Sequence, residues 1–465
     1  MRRRTFRSAV VLGAAAAAVS GLLPVLPATS AVAAPAAHAD DFNGDGYRDY
    51  AAHLGWSDQA GGAGAVRITF GTASGPGTRT QVIHQQSPGV PGENESDDRF
   101  GEVRAAADFN RDGYADLAVA SPGERIADRT QQGWVQVLWG SSTGLSGGTS
   151  IPNREPMAWG TFGEDLAAGD FNGDGRPDLA AINGSETWVY RGRITTSGVL
   201  GSVTRHDRYL DGASFWAERL IAGKVNRDAS TDLVIIGATA YDGGDHSVTD
   251  AWYVHGGSRL RSGPALRIDH DQRATGNDGV IADFNRDGYG DTAIGSFGWA
   301  DWQGKVSLWY GGSGGPSTAT RLTQGTAHVA GTPEAGDGFG YSVSAGDVNG
   351  DGYQDLAVSA YCEDIGPYED VGFVHLFRGG SNGLTGARST SFERSTPGVP
   401  GTTQSYDGFG SHVRLRDTNR DGYADLYIAA DLNDPSVRLP GSAGGITTTG
   451  ATELADHLAV DGILQ

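Results

Sequence analysis

DFNRDGYADLAVAS, residues 108–121, joins two kinds of sequence. Its first nine residues carry side-chain oxygens at positions 1, 3, 5 and 9 and Gly at position 6. A run of small apolar residues follows. Variants of the nine recur as DFNGDGYRD (41–49), DFNGDGRPD (170–178), KVNRDASTD (224–232), DFNRDGYGD (283–291), DVNGDGYQD (347–355) and DTNRDGYAD (417–425). Successive starts lie 54 to 70 residues apart. Self-similarity at such a period marks a repeat architecture in which each unit is one supersecondary element.

Every later core is followed by a short apolar run, such as LVIIG (233–237) or LAVSA (356–360). Further on, a second run alternates apolar with polar residues, as in WVQVLWG (134–140) and KVSLWYG (305–311). Alternation rich in aromatic and β-branched residues reads as half-buried antiparallel strand. Phe-Gly stands eight residues before the first Asp at Phe100-Gly101, Phe162-Gly163, Phe339-Gly340 and Phe409-Gly410, and Trp216 holds that offset in the fourth unit. Another strand precedes it, as in QVIHQQSPGVPG (81–92). About four strands in roughly 60 residues, repeated seven times, predict an all-β, seven-bladed β-propeller over residues 40–465. The first unit is truncated. The tail 442–465, through TELADHLAV (452–460), is expected to add a strand to the first blade and close the ring.

Composition agrees. Of 465 residues 73 are Gly, 38% are hydrophobic and 20% charged, which suits short strands and tight turns rather than a helical bundle. A single Cys, Cys362, excludes a disulfide framework and a Cys-ligated zinc site. Net charge of −21 argues against a nucleic-acid partner, whose phosphates demand positive charge.

The acid is concentrated in the loops. Position 1 is Asp41, Asp108, Asp170, Asp283, Asp347 or Asp417, and position 3 is Asn43, Asn110, Asn172, Asn285, Asn349 or Asn419. Position 5 is Asp45, Asp112, Asp174, Asp287, Asp351 or Asp421, and position 9 is Asp49, Asp116, Asp178, Asp291, Asp355 or Asp425. Hard oxygen donors at every second residue, with Gly at the sharp turn, curl around one calcium ion. Position 7 is expected to give its backbone carbonyl: Tyr47, Tyr114, Arg176, Tyr289, Tyr353 and Tyr423. An EF-hand is excluded, because position 12 is Ala or a β-branched residue where that loop needs Glu. The fourth unit has Lys224 at position 1 and Ala229 at position 6. Six structural calcium sites are therefore predicted, with the Lys224 ammonium neutralising Asp228 and Asp232 instead.

Phe-Gly, then the acidic loop, then a strand as in LAVASPG (117–123), resembles the FG-GAP repeat family, whose units build integrin α propellers and many bacterial secreted proteins. The resemblance implies that the loop joins the first and second strands of a blade on one face. It also implies that the opposite face, built by loops between blades and between second and third strands, holds ligands. The segments SPGERIADRTQQG (121–133), TAYDGGDHSVTD (239–250), FGWADWQG (297–304) and YCEDIGPYEDVG (361–372) belong to that position. Arg125, Arg129, Tyr241, His246, Trp299, Trp302, Tyr361 and Tyr368 are the candidate ligand residues, since exposed aromatics with Arg stack on sugars or anchor proteins.

Catalytic motifs are weak. GGSGG (311–315) and GGSNG (379–383) fit a nucleophile-elbow string, but both fall where other units have a hairpin turn. Residues 1–39 read as a signal peptide: Arg2, Arg3, Arg4 and Arg7 precede an apolar run, with cleavage options after Ala33 and Ala39. General secretion and twin-arginine export both remain open. No second apolar stretch is long enough to span a bilayer. The expected protein is secreted and monomeric, a calcium-binding module for an extracellular protein or glycan. The alternative is a calcium-dependent polysaccharide lyase, which needs a basic or phenolic proton acceptor beside groups that neutralise a uronate.

Overall fold

Each nine-residue core becomes the turn between the first and second strands of an antiparallel sheet. In blade two the strands Val103–Ala107, Asp116–Ser121, Trp134–Trp139 and Ser146–Ile151 pair in that order. The computed structural model describes residues 35–55, 62–207, 209–210, 213–241, 246–269, 278–430, 435–455 and 458–464. Residues 1–34, the bulk of the expected signal segment, lie outside them. Among the described residues, seven sheets of three to five strands follow one another along the chain and form a seven-bladed β-propeller, with a two-stranded hairpin, Ile194–Thr195 and Gly198–Val199, inserted before the outer strand of blade three.

The blades depart from four strands in two places. Among the described residues, blade one has three, Tyr50–Leu54, Ala65–Thr72 and Gly75–Ile83, and no inner strand precedes its acidic core as one does elsewhere. Blade four has five, because the short Tyr209–Leu210 pairs with its inner strand Ala213–Gly223.

The core sits between blades, not within them. Seven hydrophobic clusters each bridge one blade-to-blade interface. Second strands such as Asp116–Ser121 and Asp355–Ala360 are buried along their whole length. Their Leu, Ala, Val and Ser side chains are small enough for neighbouring sheets to stack on both faces.

The Phe-Gly pair locks this stacking. Phe100, Phe162, Phe339 and Phe409 are fully buried or nearly so. The Phe100 N–H donates to Ala63 O in blade one, and the Gly101 N–H donates to Ala120 O in blade two. Gly101 has φ of +80°, and a Cβ there would lie 2.2 Å from Val66 Cγ2. Only Gly permits that backbone and that approach. In blade four, Trp216 is 55% exposed, whereas Phe215 is buried in the cluster between blades three and four. A β-bulge between Ala217 and Arg219 explains the correction. It adds Glu218 to the inner strand, so the interlocking Phe lies nine residues upstream of the core rather than eight.

The tail takes two roles. Thr452–Glu453 is the outer strand of blade seven. Residues 458–464 then reach blade one as a short 3₁₀ turn, Val460–Gly462, rather than a strand. They fill the place of the missing inner strand. Gly462 packs against Ala52, Arg414 Nε donates to Ile463 O (3.1 Å), and Arg104 Nη2 donates to Asp461 Oδ2 (2.9 Å). Tyr50, Tyr427, Leu458, Val460 and Ile463 make the cluster at this junction, the smallest of the seven.

Candidate functional site

The acidic loops share one hydrogen-bond pattern. In blade five the Asp283 carboxylate accepts the N–H groups of Asp287 (3.1 Å) and Gly288 (2.7 Å). Asn285 Oδ1 accepts Asp287 N–H, and Asp287 Oδ1 accepts Tyr289 N–H, both at 2.9 Å. The loops headed by Asp41, Asp108, Asp170 and Asp417 repeat it. Asp347 instead accepts from Asn349, Gly350 and Gly352. Positions 1, 3, 5 and 9 thus present carboxylate and amide groups around one tight turn.

Position 9 does something further. Asp291 accepts Phe284 N–H (3.1 Å) at one oxygen and Gly311 N–H (3.0 Å), just past the third strand, at the other. In blades two to seven the Gly just past the third strand donates to the position-9 Asp, and in blade one Gly71, within the strand Ala65–Thr72, does the same for Asp49. Burial pushes the Asp49, Asp178 and Asp291 carboxyls up to about 7, and Asp116 to about 8. The backbone donors pull the other way, and neighbouring loop carboxylates add to the rise. Buried carboxylates crowded by like charge call for a cation. The donor set fits calcium, and Asp178 Oδ2, buried, has no hydrogen-bond partner among the described residues. Positions 1, 3, 5 and 9 and the position-7 carbonyl would hold the ion.

Blade four differs as its sequence suggests, with one correction. Lys224 Nζ donates to the Ala229 carbonyl (2.9 Å) rather than pairing with Asp228 or Asp232. Asp232 still accepts Val225 N–H (3.0 Å) and Gly256 N–H (2.8 Å). Its oxygens are occupied by backbone donors, and the exposed Lys has only to satisfy the turn.

A contact between loops escaped the sequence reading. Position 4 of one loop packs on position 7 of the next. Arg227 stacks on Tyr289 (4.4 Å to the ring centroid) and donates to Gly288 O (2.9 Å). Arg286 lies over Tyr353 and donates to Asp351 O, and Arg420 of blade seven lies over Tyr47 of blade one and donates to Gly46 O. Gly44 and Gly350 leave room for Tyr114 and Tyr423. The restriction of position 4 to Gly or Arg in all seven loops was the available signal.

The opposite face gathers the second-to-third and blade-to-blade loops, because every strand pair is antiparallel. Trp302, Phe297, Tyr341 and Tyr361 form a continuous aromatic row there. Successive ring centroids are 5.1, 5.1 and 4.6 Å apart. Ala300, Asp301 and Trp302 all have positive φ, a strained backbone of the kind found at functional loops. Trp299 lies apart from the row, with Lys305 and Arg321 over its ring. Arg125, Arg129 and Tyr368 are exposed, and Arg129 borders a separate hollow of 290 Å³. Tyr241 and His246 pair through their backbones, and their side chains lie outside the described part. Sequence reading missed Trp159 and Tyr406, 67% and 54% exposed, which each stand three residues before a Phe-Gly pair.

Phe297 and Tyr341 also line a central cavity of 920 Å³ bounded by the inner strands. His412, Arg219, Arg414 and Asp278 share it. His375, by contrast, is fully buried in a third strand, and burial drops its imidazole to about 3, so it packs rather than titrates. Among the described residues no helix is long and apolar enough to cross a membrane.

The FG-GAP repeat family model matches residues 162–202 and 339–377, and the FG-GAP-like repeat model matches 108–181. Bovine phosphatidylinositol-glycan-specific phospholipase D is 27% identical over 75% of this chain and 45% of its own length. The rat protein of the same name is 34% identical over 34% of this chain and 21% of its own. Mouse integrin alpha-IIb is 31% identical over 45% of this chain and 21% of its own. The chain thus spans less than half the length of these relatives. It belongs to the FG-GAP repeat family, as an integrin α-like propeller.

Proposed function

We propose that this propeller is a secreted binding module, held rigid by calcium in six loops, that engages an extracellular protein or glycan with the opposite face. One observation carries the reading. Among the described residues, the exposed large hydrophobics are Met157, Trp159, Leu200, Trp216, Trp302, Tyr368 and Tyr406. All but Leu200 lie on or next to the face away from the acidic loops. Scattered apolar exposure is ordinary, but exposure sorted to one face marks an interaction surface. The similarity to integrin alpha chains supports a protein partner, and the basic, apolar segment 1–39 supports export.

The test is a panel of extracellular proteins and of acidic and neutral polysaccharides, offered with calcium to the parent chain and to Trp302→Ala/Tyr361→Ala. Binding that the double variant loses, at an unchanged melting temperature, supports the reading. A partner held equally by both proteins overturns the assignment to the aromatic row.

The central cavity favours a second reading, a polysaccharide lyase. His412 and Tyr341 offer a base and a phenol beside Arg219 and Arg414, the combination that β-elimination on a uronate requires. The base would take the C5 proton as the C4–O bond breaks and the Tyr341 phenol protonates the departing oxygen, leaving an unsaturated uronate and a new chain-end hydroxyl. A rise in its ultraviolet absorbance, abolished in His412→Ala or Tyr341→Phe, would establish this activity.

A further inference from the structure

Three blade-to-blade segments align at fixed spacing: Gln85, Glu95, Asp98, Phe100; Gln324, Glu334, Asp337, Phe339; and Arg394, Gln404, Asp407, Phe409. In each, a Gly at positive φ seats against the first side chain. A Cβ at Gly92, Gly331 or Gly401 would lie 2.7, 2.8 or 2.9 Å from Gln85 Nε2, Gln324 Nε2 or Arg394 Nη1. The three segments therefore shape the same pocket.

In the third copy the protein fills that pocket with its own cation. Arg394 and Asp407 are fully buried as side chains, and Arg394 Nε donates to Asp407 Oδ2 at 2.7 Å. The guanidinium is completed by the carbonyls of Pro400 and Pro435, both at 2.8 Å.

In the first copy the cation is gone and the acid is not. Oxygens of Glu95, Asp98 and Glu124 lie within 4.8 Å of one another. Asp98 and Glu124 are 1% and 4% exposed. Gln85, 1% exposed, donates from Nε2 to Glu124 Oε2 (2.6 Å), while its buried Oε1 has no hydrogen-bond partner. The Gln85 amide therefore packs against Glu124 with its oxygen still unclaimed. Among the described residues no Lys, Arg or His makes an ion pair with the three carboxylates. The second copy repeats the buried Gln324–Glu363 contact (2.5 Å) and the unpartnered Gln oxygen.

Two buried carboxylates and a third beside them do not stay together ionised without compensating charge. Four oxygen donors and no nitrogen or sulfur ligand select a hard cation. We infer that Glu95, Asp98 and Glu124, with Gln85, form a calcium-class divalent cation site between blades one and two. It lies on the face opposite the acidic loops, and Arg394 is its built-in substitute between blades six and seven. Glu95 is exposed, so one side of the ion is open to solvent or to an oxygen of a bound partner.

Crystals of the full chain grown with calcium, and again with manganese for its anomalous signal, test the site directly. A peak among Glu95, Asp98 and Glu124 is expected, and its absence at millimolar metal overturns the inference. The same map reads the six loops separately, so their occupancy does not decide this one. Gln85→Arg should remove the peak and raise the melting temperature in chelator, because it installs the Arg394 arrangement. Glu124→Gln should likewise remove the peak and relieve repulsion in chelator. A fall in chelator melting temperature for both variants would contradict the account.

Discussion

Asp232 in blade four and Asp291 in blade five occupy the same place in loops that share Asn-Arg-Asp at positions 3 to 5 but differ at positions 1, 2 and 6 to 8. Both hold the start of their own loop and the Gly that ends the third strand through two backbone N–H groups. Asp283 gathers the turn of its loop from position 1, where blade four has Lys224 tied to Ala229 O. The difference separates two roles that a single motif conceals. Position 9 is a backbone clamp that the blade needs with or without metal. On the proposed reading, positions 1 and 6 set the six calcium loops apart from the loop of blade four.

The largest expected effect comes from removing the ion altogether. A ligand at a hundredfold excess over its Kd contributes about 2.7 kcal/mol per site. Six sites together should make the melting temperature fall by more than about 10 °C in excess chelator, measured by calorimetry. An unchanged melt would remove calcium from the account.

Next in size are the clamps. Asp232→Ala and Asp291→Ala each strand two buried N–H groups, at roughly 1–3 kcal/mol apiece. Both variants should lose comparable stability in denaturant, but only Asp291→Ala should lose a bound calcium. Equal calcium loss from both would erase the distinction between the blades.

A smaller effect follows from pH. The position-9 carboxyls are raised by burial, Asp49, Asp178 and Asp291 to about 7, so the folded chain holds protons that the unfolded chain releases near its ordinary value. In chelator, stability is greatest below that ordinary value and should fall as pH rises toward 7. Calcium binds the ionised form, so the stabilisation that it adds should grow over the same range. Melting curves with and without calcium between pH 5 and 8 check both slopes. The smallest effect is that of Lys224→Ala, an exposed side chain with one carbonyl contact, which should leave bound calcium unchanged.

The sevenfold architecture was legible because the acidic core punctuates the chain and each core is followed by the same pair of strands. Phe215 was not, since one bulged residue, Glu218, shifts the frame by which Trp216 was chosen. The Gln85, Glu95, Asp98 and Glu124 cluster was hidden for another reason. Its members come from two segments of sequence that antiparallel topology folds to one end of the interface. The aromatic row was half visible: Trp302 and Tyr361 lie in the expected loops, whereas Tyr341 comes from an inner strand. The acidic core carries its chemistry within nine residues, and the opposite face assembles its own from several blades.

Anomalous diffraction from a calcium-grown crystal tests the central claim most directly. The account predicts one peak inside each of the six loops headed by Asp41, Asp108, Asp170, Asp283, Asp347 and Asp417, and none beside Lys224. Empty Asp loops, or a peak in the blade four loop equal to the others, would contradict it.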